Sequence, residues 1–281
     1  MEILLDCIPC LLRQAIDAAR KNSDDESVHA LVLKDAMSFA AQYDKYDNAP
    51  KLAKDIHEAV KKYTLSDDPY AYVKQRDLAA ALELYPYLCE FVEGKEDKIY
   101  WALKLAATGN NLDSAVYGEQ NVKECAKREI EKPFAVCDAP SFKQRLAGAK
   151  TILVVGDNTG ESVFDRVMMQ ELPNDAELIY AVRSQPIIND VTYETAIASG
   201  IDGVARIIST GCGAPGVILS ECSEEFLDVY RSADIVISKG QGNFETLCDG
   251  TRSVFFLLKA KCPVIAKRLS VDINSYVFKE M

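Results

Sequence analysis

KTILVVGDNTGE, Lys150 to Glu161, is the stretch whose reading decides the fold. Ile152, Leu153, Val154 and Val155 form a short apolar, mostly β-branched run, as a strand buried on both faces requires. Gly156 then permits a sharp turn. Asp157 and Asn158 follow it, placing an anionic and a neutral oxygen donor at the strand's carboxyl end, where open α/β sheets bind their ligands. Two hard oxygen donors side by side suit a hard divalent cation. The plainer alternative is that one of them only caps the helix starting near Glu161.

The chain beyond this stretch weighs against that alternative. The apolar runs ILVV, ELIYAV, VARII, DIVIS and CPVIA alternate with amphipathic segments, a rhythm that predicts a mainly parallel sheet with helices on both faces. Polar, glycine-rich and cationic residues recur at the carboxyl ends of these runs. Arg183 and then Asn189 and Asp190 follow LIYAV, and Lys239, Gly240, Gly242 and Asn243 follow DIVIS. Asp157, Asn158 and Asp190 together offer three oxygen ligands from two strand ends, with room left for water and a substrate oxygen. A cation there polarises a phosphoryl oxygen and lowers the pKa of a water, which supplies a nucleophile without histidine. Lys239 fits as the phosphate's point charge, Gly240 and Gly242 let backbone N–H groups approach it, and Asn243 opens the next helix. Arg183 adds a second cation. Glu161 either orients water or caps its helix.

Residues 1–145 read as a run of helices, and residues 146–281 as the α/β domain. Leu4, Ile8, Leu11, Leu12, Ala15, Ile16 and Ala19 draw one apolar face, and similar spacing returns four more times before residue 110. Cys7 and Cys10 form a Cys-Ile-Pro-Cys in the first of these helices. A lone Cys-x-x-Cys is a weak zinc signal, and a redox pair, half of a second metal site and plain packing remain open for it. In TGNNLD, Gly109 and Asn110 suit a helix end, whereas Asp113 is not needed for one. Asn110 and Asp113 are therefore substrate-side candidates facing the other domain.

Composition narrows the chemistry further. The chain has 281 residues, 48% of them hydrophobic, enough for substantial cores. No apolar run approaches the ~20 residues of a membrane span, and Glu2 and Asp6 stand where a secretory signal is basic, so a cytoplasmic protein is expected. Nine scattered cysteines are too dilute for a disulfide scaffold. A net charge of −11 argues against nucleic acid as a partner and demands local cations or a metal for any small anionic substrate. Only His29 and His57 occur, both in the helical part and both read as helix-surface or packing residues. The second half thus lacks a Ser-His-Asp or Cys-His mechanism and a His-rich zinc site. GCGAPG at 211–216 matches a dinucleotide fingerprint but follows the third strand of the series, and the next strand ends in Lys239, not an acid.

Five ordered segments carry a resemblance: Asp6-Cys7 to Cys10, GNNLD at 109–113, GDNTGE at 156–161, VRSQPIINDVT at 182–192 and SKGQGNFETL at 238–247. Together they resemble the DUF89 proteins, or damage-control phosphatases, and in particular the shorter archaeal-type branch with the Cys-x-x-Cys. The resemblance implies an all-helical domain before a Rossmann-like, three-layer α/β/α domain, and a phosphatase using cobalt, nickel, manganese or magnesium. It implies metal ligation by Asp157, Asn158 and Asp190 and a phosphate contact by Lys239. The implied partner is a small phosphorylated metabolite, such as a sugar phosphate or a damaged nucleotide. The competing expectation is a non-catalytic protein that binds a phosphometabolite or dinucleotide at the same edge.

Overall fold

A computed structural model describes residues 1–109 and 122–281. The helices are α1 (Cys7–Asn22), α2 (Glu26–Ala40), α3 (Ala49–Thr64), α4 (Ala71–Glu93), α5 (Lys98–Gly109), α6 (Val122–Glu131), α7 (Ala139–Leu146), α8 (Glu161–Gln170), α9 (Tyr193–Ala198), α10 (Glu224–Ser232), α11 (Gly240–Leu247) and α12 (Pro263–Leu269). The strands are β1 (Phe134–Cys137), β2 (Thr151–Val155), β3 (Glu177–Val182), β4 (Arg206–Ser209), β5 (Ile235–Lys239), β6 (Phe255–Lys259) and β7 (Tyr276–Glu280). They form one sheet in the order β1-β7-β6-β5-β2-β3-β4. Every pairing is parallel except β6 with β7.

The apolar run of β2 explains the layering. Successive side chains of a strand point to opposite faces, so Ile152 and Val154 enter one core while Leu153 and Val155 enter another. The first core is closed by α4, α5, α7 and α8, and the second by α10, α11 and α12. This is the expected α/β/α sandwich. Helices α1, α2 and α3 bury Leu11, Ala15, Val32, Leu52 and Ile56 in a core of their own.

Three segments differ from the sequence reading. CPVIA is not a strand but the start of α12, and the strand beside β5 is FFLLK. A short apolar run does not distinguish strand from helix, and Pro263 in the first turn is the signal that favours the helix. Phe134–Cys137, within the stretch read as helical, pairs in parallel with β7. The helices before residue 145 also divide, since α5 packs on the sheet and α4 on α5 and α8, while α1 to α3 bury a core of their own. Among the described residues no helix is long and apolar enough to cross a membrane.

Strand β2 lies between β3 and β5, so the chain leaves it toward one side and later returns on the other. Such a reversal opens a crevice at the strands' carboxyl ends. Both histidines lie away from it. His29 contacts the Ser23 carbonyl at 2.6 Å, and His57 is buried in α3 with its ring edge toward Tyr70 and no hydrogen-bond partner for Nε2 among the described residues.

Burial, assisted by the Lys61 charge, lowers the pKa of His57 from 6.5 to about 4. Between those values the unfolded chain binds a proton that the folded chain refuses, so the stability from neutral His57 is complete above 6.5 and is lost as pH falls toward 4. Urea denaturation should therefore show a loss of about 2 kcal/mol between about pH 7 and about pH 5 that is absent from His57→Leu. Parallel curves for the two proteins would refute this.

Candidate active site at the carboxyl edge of the sheet

The turn after β2 is zipped to the turn after β3. Val191 N–H donates to the Asp157 carbonyl at 2.8 Å, Thr159 N–H donates to the Asn189 carbonyl at 2.9 Å, and Asn158 and Asp190 form an isolated antiparallel bridge. Gly156 makes the approach feasible, because a Cβ there would lie 2.7 Å from the Tyr180 hydroxyl and 2.8 Å from Val191. Ile188 adopts φ 44°, an uncommon value for a β-branched residue, just before Asn189 and Asp190. Asp157, Asn158 and Asp190 consequently meet along one pocket.

Each of these side chains is oriented by a neighbour. The Asn158 amide N–H donates to Asp157 Oδ2 at 2.9 Å and to Glu161 Oε2 at 3.2 Å, which settles which end of the amide faces the acids. Arg183 Nε donates to Asp190 Oδ2 at 2.7 Å, and its Nη2 donates to Asn243 Oδ1 at 2.9 Å. Asn243 in turn donates to the carbonyls of Gly156 and Lys239 and accepts from Val217 N–H. It ties the β2 and β5 turns together. Gly240 has φ 76°, and a Cβ there would overlap the Asp157 carboxylate.

Lys239 is fully buried. Its ammonium donates to Glu161 Oε1 at 2.5 Å, to Asp165 Oδ1 and to the Ala106 carbonyl at 3.2 Å, while Tyr180 donates to the other Asp165 oxygen at 2.8 Å. The charge expected at the phosphate is thus engaged with two buried carboxylates, and Lys239, Gly240, Asn243, Arg183 and Glu161 are not among the described residues that line the pocket. Gly242 does line the pocket. Asn110 and Asp113 lie outside the described residues.

The local charge balance is unequal. Asp157, Glu161, Asp165 and Asp190 are buried with Lys239 and Arg183 bonded among them, while buried Lys74, paired with Asp68, acts on Asp190 without bonding to it. Burial, reinforced by Glu161 and Asp190, holds the Asp157 pKa well above the usual carboxylate range, and burial raises Asp165 and Asp190 to about 6 against the pull of Lys239 and Arg183. An excess of buried negative charge is relieved either by protons or by a cation. The donor set fits a divalent ion. Among the described residues no three His, Cys, Asp or Glu side chains cluster to hold a metal, so an ion at this edge depends on the Asn158 amide oxygen and on water beside Asp157 and Asp190.

The pocket has a volume of about 320 Å³ and is roofed by Leu11, Pro50 and Ala53 of the helical layer. Lys261, at the carboxyl end of β6, lines it and forms no ion pair among the described residues. The sequence reading misses this lysine because it places the strand at CPVIA; with FFLLK as the strand, Lys261 falls at the same edge as Asp157. Cys7 and Cys10 also line the pocket, beside Cys262 and Glu245. Burial raises the pKa of both thiols, so neither is an activated thiolate.

Fold and site thus define a Rossmann-like protein with an acidic pocket between its sheet edge and a helical roof. The family model described as the damage-control phosphatase ARMT1-like domain matches residues 3–277, and the chain belongs to that family. A damage-control phosphatase of Archaeoglobus fulgidus is 32% identical, with 99% of each chain covered. Damage-control phosphatase PH1575 of Pyrococcus horikoshii is 30% identical over 99% of this chain and 97% of its own. The crystal structure of that DUF89 protein superimposes with a TM-score of 0.89, covering 99% of this chain and 98% of the other.

Gly240 gives a direct check on the packing behind the pocket. Gly240→Ala should lower stability by about 1–3 kcal/mol in urea denaturation, since it meets both a left-handed backbone and the Asp157 carboxylate. Gly148→Ala, with nothing near the added Cβ, should stay within about 0.5 kcal/mol of the parent. Equal stabilities for the two variants would show that the close approach is absent.

Proposed function

We propose that this chain is a metal-dependent phosphatase of small phosphomonoesters such as sugar phosphates, damaged nucleotides or related phosphometabolites, working in the cytoplasm. The observation that carries the reading is the convergence of Asp157, Asn158 and Asp190 on one small pocket whose buried carboxylates outnumber their cations. The relatives bearing the damage-control phosphatase name support it.

In this reading Asp157, Asn158 and Asp190 hold cobalt, nickel, manganese or magnesium. A divalent ion, when bound, polarises a phosphoryl oxygen and lowers the pKa of a water. Glu161 accepts the Asn158 N–H, which leaves the amide oxygen as the atom offered to a cation. Lys239 fixes Glu161, and Arg183 fixes one oxygen of Asp190, leaving the other available. Lys261 is the ammonium placed to neutralise a substrate phosphate. The helical roof limits the length of the group that the phosphate carries.

Release of p-nitrophenol from p-nitrophenyl phosphate, assayed with each of the four ions, tests the proposal. Asp157→Asn should lower turnover by more than about 100-fold while its thermal unfolding remains cooperative. Lys261→Met should raise KM by about tenfold with a smaller change in kcat. A parent protein that binds phosphate esters yet releases no product with any ion would establish the non-catalytic binding protein instead.

A further inference from the structure

Beyond the oxygens assigned to a cation, the pocket keeps an acid that the phosphatase reading does not use. Glu245 lies on α11 and lines the pocket wall. It stands five residues past Gly240, where an added Cβ would overlap the Asp157 carboxylate, so at about 1.5 Å per residue it sits about 7 Å farther along the helix. Gln241, one turn earlier on the same face, holds it in place. The Gln241 Nε2 donates to Glu245 Oε1 at 3.1 Å, and the Gln241 Oε1 accepts the Lys261 N–H at 3.2 Å, which ties the carboxylate to the end of β6. The other oxygen, Oε2, meets no donor among the described residues. Nor does the Glu245 side chain form an ion pair among them, since the Met1 ammonium bonds the Glu245 carbonyl at 2.7 Å and pairs with Asp249 at 3.2 Å.

Resting on the phosphatase reading above, we propose that Glu245 is the specificity-determining residue of this pocket and pairs with an ammonium group on the substrate, so that the preferred phosphomonoesters are aminoalkyl or amino sugar phosphates. The charges lining the pocket support this. Asp6, Asp157, Asp190 and Glu245 stand against one cation, Lys261, among the described residues of the lining. A divalent ion takes Asp157 and Asp190, and a phosphate dianion more than consumes Lys261, so Glu245 is left without a counter-charge as the substrate enters. Burial lifts the Glu245 pKa to about 7, against the Gln241 bond and the Met1 ammonium, as befits a carboxylate short of a cation.

The chemistry of the wall favours an organic cation over the other candidates. Among the described residues no three His, Cys, Asp or Glu side chains cluster to hold a metal, so a second metal ion is not what Glu245 awaits. A substrate hydroxyl would give Oε2 its hydrogen bond and leave the charge uncompensated. An ammonium supplies both the donor and the charge, and such a charge-assisted bond is roughly twice as strong as a neutral one. The carboxylate is already oriented by Gln241, so little ordering is needed when the amine arrives.

Phosphate release by the full-length protein, with the ion that best supports turnover of p-nitrophenyl phosphate, is compared within matched pairs of esters. One pair is phosphoethanolamine and ethylene glycol monophosphate; the other is glucosamine phosphate and glucose phosphate, each esterified at the primary hydroxyl. In at least one pair the amino ester should have a kcat/KM about tenfold higher or more, carried mainly by KM, and Glu245→Gln should bring that ratio to about one. Glu245→Asp, which keeps the charge, should retain a preference of the same sign, whereas a purely structural role for Glu245 would lower both members of a pair together. If Glu245→Gln fails to fold, the parent ratios and Glu245→Asp still give the answer. Equal kcat/KM within both pairs for the parent, or an amino preference that survives Glu245→Gln, would overturn the proposal. If p-nitrophenyl phosphate is not turned over with any ion, the hydrolase reading fails by itself, and calorimetric Kd values for the same pairs, judged by the same ratios, decide the role of Glu245.

Discussion

The buried ammonium of Lys239 is the interaction on which the site's construction depends. It joins the end of β5 to Glu161 and Asp165 on α8 and to the last turns of α5 through the Ala106 carbonyl. An unpaired charge at such depth is strongly unfavourable, so the three elements are held to one arrangement. Glu161 and Asp165 are four residues apart and share a helix face, which lets one cation satisfy both. Only then does Glu161 stand where its second oxygen meets the Asn158 amide.

With Lys239 bonded to Glu161 and Asp165 and Arg183 to Asp190, the four carboxylates still outnumber these two cations, and the two that face the pocket are Asp157 and Asp190. Those two come from different turns, and the backbone hydrogen bonds between the turns keep them together whether or not an ion is present. Preorganisation of this kind leaves little to rearrange when a ligand arrives. The raised pKa values of the carboxylates come first from burial, reinforced at Asp157 by Glu161 and Asp190 and opposed at Asp190 by Arg183.

Much of this was legible in the sequence because strand ends in a parallel sheet share an edge. The run ILVV located β2, and the residues after β2, β3 and β5 were placed at one edge by topology alone. What stayed hidden was which side chains face the pocket. Lys239 follows a strand and precedes a glycine, as a phosphate-binding lysine would, but nothing in that spacing reveals the carboxylate of Asp165, far away in the chain, that claims it. Asp165 itself looked like any polar position on an amphipathic helix; its spacing from Glu161, on the face toward the sheet, was the available clue. Lys261 was lost with the strand that precedes it, since FFLLK and CPVIA are both short apolar runs and only Pro263 separates their meanings.

The central claim is that Asp157, Asn158 and Asp190 hold a single divalent cation. Anomalous scattering from crystals of the protein grown with manganese tests it most directly. The account predicts one strong peak within coordinating distance of oxygens from all three residues. A peak seated instead among Cys7, Cys10 and Cys262, or no peak at the sheet edge, would contradict it.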